Sequence, residues 1–276
     1  VVRASAAVAT ALASLLILAS AGVAPPHADA GTGSLPHGLS GTVAPREAVP
    51  DSIRPQRIIF RFRARGSVRV EIRIRKVRPG GRAGRLVARR VTGPLEPGRW
   101  HRRLFRGLDR KGRLVAPGRY SVRIGPAGGR LKTLARIRLH GHLFPVRGPH
   151  GTRGYIGEFG APRTGGRIHE GFDVTAACGT ALVAPRSSTV LKNAFDPELK
   201  GYYLVLKGRA ERRTYLYAHL KRRAPAVVGQ RVRAGRRIGS VGQTGNAWTT
   251  PCHLHFEVRS RGRLLDPGPL LYAWDR

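Results

Sequence analysis

Residues 253–258 read His-Leu-His-Phe-Glu-Val, so Leu254, Phe256 and Val258 alternate with His253, His255 and Glu257. A period of two predicts a half-buried strand whose apolar side enters a core while two histidines stand together on the other side. The same alternation recurs upstream. Phe60, Phe62 and Ala64 alternate with Arg61, Arg63 and Arg65, and Val68, Val70, Ile72 and Ile74 alternate with Arg69, Glu71, Arg73 and Arg75. Further strands are predicted over 86–91, 98–105, 120–124 and 131–139, with Gly/Pro turns between them. Past residue 144 the pattern predicts strands near 189–194, 202–207 and 214–220, the last placing Tyr215, Tyr217 and His219 on one side. Many short strands with no helical period predict a mainly β protein.

The patterning divides the chain. Arg3, the apolar run 6–24 and Ala28-Asp29-Ala30 form the layout of a secretory signal over residues 1–30. An uncleaved membrane anchor is the alternative, opposed by the short apolar run and by Pro25-Pro26. Residues 31–50, rich in Gly, Ser and Pro, predict a flexible linker. Residues 51–140 predict a basic β-sandwich, and residues 141–276 a second, mainly β domain.

Charge narrows the partners. Of 51 Lys and Arg residues, 27 lie in residues 51–144 against only 4 acids. Such a surface concentrates near polyanions. Outside the cytoplasm those are anionic wall polymers and lipid headgroups. Nucleic acid fits poorly, because no basic recognition helix is present and few aromatics are interleaved with the arginines.

The candidate chemistry lies in the second half. His169 and Asp173 are four residues apart, suited to one helix face or, with Gly171 between them and Val174-Thr175 following, to a loop running into a strand. A neutral imidazole and a carboxylate are both good zinc ligands, although taken alone the pair is better explained by an exposed His and a capping Asp. His101, His140 and His142 have no neighbour at ligand spacing and read as solvated or structural.

In order, His169…Asp173, Tyr217-Ala218-His219-Leu220, a Gly-rich run and His253-Leu254-His255-Phe256-Glu257 resemble the lysostaphin/LytM-type zinc endopeptidases of bacterial cell walls. The resemblance spans residues 144–258 and implies a lysostaphin-type antiparallel β peptidase domain. It implies zinc ligands at His169, Asp173 and His255, with His219 and His253 beside the metal-bound water. Cys252 departs from the usual small residue at its position. Upstream, Trp100 and the turns Gly107-Leu108-Asp109-Arg110-Lys111-Gly112 and Ala116-Pro117-Gly118-Arg119-Tyr120 resemble the Ig-like module of flagellar-hook capping proteins.

The resulting expectation is an exported zinc metalloendopeptidase that hydrolyses peptide bonds of peptidoglycan stem peptides or cross-bridges. It sits in the cell wall with peptidoglycan as substrate and keeps no membrane span after signal cleavage. A silent wall-binding protein that recruits another hydrolase is the alternative, and a polyanion-binding structural protein is a third. No HExxH glutamate is present, so histidine must act as general base. Glu170 reads as solvated. Cys178 and Cys252, the two cysteines of an exported chain, predict a disulfide, with zinc-thiolate ligation as the rival.

Overall fold

Alternating runs become strands because each buries every second side chain against a shared interior. The structure, a computed structural model, describes residues 38–275. The signal assigned to residues 1–30 and the linker residues 31–37 lie outside the described residues. Within them the chain is mainly β, its sheets largely antiparallel. No helix among the described residues is long and apolar enough to cross a membrane.

The first strands are β1 (Ser40–Ala44), β2 (Glu47–Ala48), β3 (Gln56–Arg61), β4 (Val68–Val77), β5 (Ala83–Leu95), β6 (His101–Phe105), β7 (Gly118–Pro126) and β8 (Lys132–Leu139). They form two sheets, ordered β1-β3-β6 and β2-β8-β7-β4-β5. Ile58 and Phe60 of β3 meet Ile72 and Ile74 of β4, Val122 and Ile124 of β7, and Ile137 of β8 in one core. Two sheets closed on a common apolar interior make a β-sandwich. On the outer face Arg73 stands opposite both Arg89 and Arg123. Like charges so placed repel. Buried Glu71 offsets this by accepting hydrogen bonds from Arg73 and Arg89.

Composition predicts a flexible lead-in up to residue 50, and here the structure differs. β1 pairs antiparallel with β3 from Ser40↔Arg61 to Ala44↔Arg57. Leu39 and Val43, 3% and 2% exposed, enter the sandwich core. Those two side chains repay the ordering of a segment whose small residues hide its alternation.

A second core follows. Its strands are β9 (Val146–Arg147), β10 (His150–Thr152), β11 (Phe172–Ala176), β12 (Ala181–Val183), β13 (Ser188–Asp196), β14 (Gly201–Gly208), β15 (Arg213–Leu220), β16 (Arg231–Val232), β17 (Arg237–Ser240), β18 (His253–Ser260) and β19 (Arg263–Leu265), followed by helix α1 (Gly268–Trp274). The main sheet runs β10-β11-β18-β15-β14-β13-β16 with β19 beside β18, and β17-β12-β9 form a smaller sheet. Phe172, Val174, Leu204, Tyr215, Tyr217, Leu254 and Phe256 of the main sheet pack with Leu182 and Ile238 of the smaller one. The opposite face of the main sheet carries Asp173, His253 and His255. Backbone and side-chain bonds join the two cores: the Ile53 N–H donates to the Ala234 carbonyl at 3.0 Å, and the Ser187 hydroxyl to the Asp51 carbonyl at 2.9 Å.

Candidate metal centre

Register brings the candidate residues together. In the β11–β18 ladder Phe172 faces Phe256 and Val174 faces Leu254 on the core side, so Asp173 lies opposite His255 and Thr175 opposite His253 on the other. His169 arrives from the loop before β11, and His219 from the end of β15. Gly171 permits this convergence, because a Cβ there would lie 2.6 Å from His255 Cε1 and 2.7 Å from the Phe256 carbonyl oxygen.

Three atoms converge most closely. His169 Nε2 is 2.8 Å from His255 Nδ1 and 3.0 Å from Asp173 Oδ1, and His255 Nδ1 is 3.1 Å from that same oxygen. The other nitrogen of each ring fixes its tautomer. His169 Nδ1 contacts the Glu158 carbonyl at 2.8 Å, and a carbonyl only accepts, so Nδ1 carries the hydrogen and Nε2 the lone pair. His255 Nε2 faces the Glu257 carboxylate at 3.4 Å, which leaves the lone pair on Nδ1. Three lone pairs about 3 Å apart repel unless a cation or proton lies among them. A tetrahedral ion with bonds of about 2.0–2.1 Å spaces its ligands by about 3.3 Å, close to this triangle. Two imidazoles and one carboxylate also make a borderline-soft donor set suited to zinc, with a fourth position left over. The donor set fits a zinc ion.

Two further histidines flank the triangle. His253 Nδ1 donates to the Pro251 carbonyl at 2.9 Å and His219 Nδ1 to the Thr244 carbonyl at 2.8 Å, so in each ring Nε2 holds the lone pair. Their ring centroids are 4.9 Å apart, and both line an open groove of about 690 Å³.

Electrostatics separates the histidines. Burial, helped by the neighbouring His255 and His253, pushes His219 down to about 3, so its ring stays neutral. Burial likewise lowers His253, against the attraction of Asp173. His255 goes the other way: burial disfavours its charge, but hydrogen bonds to Asp173 and Glu257 carry it up to about 9, so a proton on Nδ1 is the species that a metal cation would displace to free the lone pair. Burial opposes ionisation of Asp173, yet His169 and His255 hold its carboxyl well below the usual carboxylate range. A site that favours positive charge beside Asp173 and keeps neutral bases beside it has the polarity a cation requires.

One placement differs from expectation, while Glu170 and the cysteines lie as the sequence predicts. Alternation assigns His219 to the side of Tyr215 and Tyr217. Both tyrosines are in the core, but His219 has φ +58°, and this left-handed residue turns its ring to the opposite face. Backbone strain of this kind costs of order 1–3 kcal/mol and persists where the surroundings hold it. Here the His219 N–H donates to the Lys200 carbonyl at 2.8 Å. Glu170 is half-exposed, bonded to Arg259 at 2.9 Å, whereas Glu257 is buried behind His255. Cys178 and Cys252 form a disulfide with Cα atoms 5.3 Å apart, which removes zinc-thiolate ligation. The bridge ties the segment after β11 to the start of β18.

Arg153 had no distinguishing signal among so many arginines. It donates to Asp173 Oδ2 at 3.2 Å, the oxygen turned away from the triangle. The carbonyls of Glu158, Pro251 and Thr244 were equally silent, since a backbone acceptor leaves no mark in side-chain identity.

Parts of the chain are similar to known proteins. An uncharacterized metalloprotease of Haemophilus influenzae is 37% identical over 101 residues, covering 37% of this chain and 20% of that protein. The peptidoglycan DD-endopeptidase ShyC of Vibrio cholerae is 35% identical over 98 residues, covering 35% of this chain and 21% of that protein. The chain thus spans about a fifth of the length of either relative. The catalytic domain of lysostaphin from Staphylococcus simulans is 27% identical with a TM-score of 0.39, covering 45% of this chain and 92% of that domain. Residues 167–267, which hold all five converging residues, match the model of Peptidase family M23.

Proposed function

We propose that the chain is an exported zinc metalloendopeptidase that hydrolyses peptide bonds in peptidoglycan, with residues 141–276 as its catalytic domain. One observation carries this reading: three acceptor atoms at mutual distances of 2.8–3.1 Å, flanked by two histidines that also present lone pairs. His169, Asp173 and His255 would hold the zinc. When bound, zinc supplies Lewis-acid charge at the scissile carbonyl and the attacking water. His219, neutral and anchored through Nδ1, accepts a proton at Nε2. His253, neutral as well, shares that role through its own Nε2, and the imidazolium formed by the uptake stabilises charge on the former carbonyl oxygen and returns the same proton to the leaving amine. Arg153 orients Asp173, and Glu257 orients His255.

The basic sandwich, residues 51–140, holds the enzyme on anionic wall polymers in this reading. Its relation to Ig-like modules is supported by Tyr120, whose hydroxyl donates to the Ala116 carbonyl four residues upstream, as in a tyrosine corner. The deciding experiment incubates zinc-loaded full-length protein with purified sacculi and identifies released fragments by mass spectrometry. New amino termini within stem peptides or bridges are expected, and a chelator should abolish them. Zinc-loaded protein that releases nothing would overturn the hydrolase reading in favour of a wall-binding recruiter.

A further inference from the structure

The groove over the triad is walled by cations that the chemistry above does not use. One wall is the hairpin ending at His169: the Arg163 N–H donates to the Arg167 carbonyl at 2.9 Å, and the His169 N–H to the Ala161 carbonyl at 2.8 Å. Arg163 and Arg167 both line the groove from this hairpin. Another wall carries Lys200, which also lines the groove and whose carbonyl accepts the His219 N–H. Positive charge is therefore tied on one side to a residue of the metal triangle and on the other to a proton-carrying histidine.

The acids of the groove are already engaged. Asp173 faces the histidines and Arg153, Glu257 faces His255 and Arg259, and Glu170 faces Arg259. Among the described residues Arg163, Arg167 and Lys200 make no close ion pair, although Asp173 attracts Arg163 and Glu257 attracts Lys200 at longer range. Arg163 donates to the Ile156 and Pro162 carbonyls, which hold the guanidinium in place without neutralising it. A bound divalent ion would add to the excess.

We infer that Arg163, Arg167 and Lys200 select a peptide bearing free carboxylates on both sides of the scissile bond, an acidic cross-link rather than a glycine bridge. The inference rests on the peptidase reading and specifies its substrate. An extended peptide advances about 3.3 Å per residue, so one laid along the groove past the triangle carries the side chains that flank the scissile carbonyl alongside residues lining the same groove. A carboxylate there forms charge-assisted pairs with arginine and lysine, partly shielded from water by the groove. A glycine chain offers no such group and leaves three cations facing neutral backbone.

The test uses two cross-linked peptide dimers made uncleavable by N-methylation of the scissile amide. They differ only in carrying free carboxylates or carboxamides beside that amide. Each is titrated calorimetrically into the zinc-loaded full chain, and the cleavable parents are assayed for hydrolysis. The carboxylate dimer should bind about tenfold more tightly at low salt, the combined effect of two or three partly exposed pairs. Arg167→Gln and Lys200→Gln should each erase much of that preference while leaving carboxamide binding unchanged. Arg136→Gln, an equal loss of charge on the exposed face of β8, should leave it intact. Equal affinity for the two dimers, no binding of either, or a preference untouched by Arg167→Gln and Lys200→Gln would overturn the inference. Preferential binding with neither parent cut would sustain the recognition and remove the peptidase reading. Both parents cut with equal kcat/KM, and both dimers bound equally, would do the reverse.

Discussion

Replacing His255 by Ala separates metal ligation from proton transfer. His255 supplies Nδ1, one of three atoms whose separations are 2.8–3.1 Å. Zinc binding to a four-ligand protein site is worth about 10–16 kcal/mol, so one ligand accounts for about 3 kcal/mol, or about 100-fold in affinity. The loss should exceed this, because Asp173 and Glu257, 2% and 3% exposed, both lose an imidazole partner. His253 shares the strand face but not the triangle: its Nε2 is 3.7 Å from Asp173 Oδ2, the oxygen turned away. His253→Ala should keep zinc affinity within a few-fold and slow hydrolysis by about 10²–10⁴, the usual loss for a general acid or base. Equilibrium dialysis against zinc buffers, with metal quantified by mass spectrometry, reads the first quantity. Turnover on cross-linked wall fragments at saturating zinc reads the second. Wild-type zinc affinity in His255→Ala, or loss of zinc in His253→Ala, would refute the assignment.

Three further outcomes follow from the same physics. The bridge Cys178–Cys252 closes a loop of 74 residues, so Cys178→Ser with Cys252→Ser should lower unfolding free energy by about 4 kcal/mol at the entropic upper end; an unchanged denaturant midpoint would contradict this. Burial opposes ionisation of Glu211, but His142 and Tyr215 hold its carboxyl below its ordinary 4.5. Its stabilising contribution is therefore present above that value and lost as pH falls through the lower folded value, so acid melting curves should fall more steeply in wild type than in Glu211→Gln. Finally, wall binding attributed to the sandwich should weaken as salt rises, and full-length protein bound equally at low and high salt would exclude an electrostatic anchor.

How much of this was legible in the sequence depends on the range of the interaction. The His253/His255 pair was readable, because alternation is set by the strand backbone itself and Leu254, Phe256 and Val258 declare which side is buried. The sandwich strands were readable for the same reason, down to the arginines that alternate with Phe60 and Ile74 along β3 and β4. β1 was not, since small residues give a weak pattern and its place depends on pairing with β3. His219 went to the wrong side because one positive φ reverses a face, and no periodicity records it.

The sequence by itself determined a β protein and the side-chain types that converge, since local alternation and chemical identity need no partner. Only the tertiary structure decided how they meet. The ladder between β11 and β18 sets Asp173 opposite His255, and the carbonyls of Glu158, Pro251 and Thr244 choose which nitrogen of His169, His253 and His219 is free. Those contacts span up to 82 residues between Asp173 and His255, and their energies depend on burial. A linear pattern can name the groups, but their protonation and separation come from the fold that removes them from water.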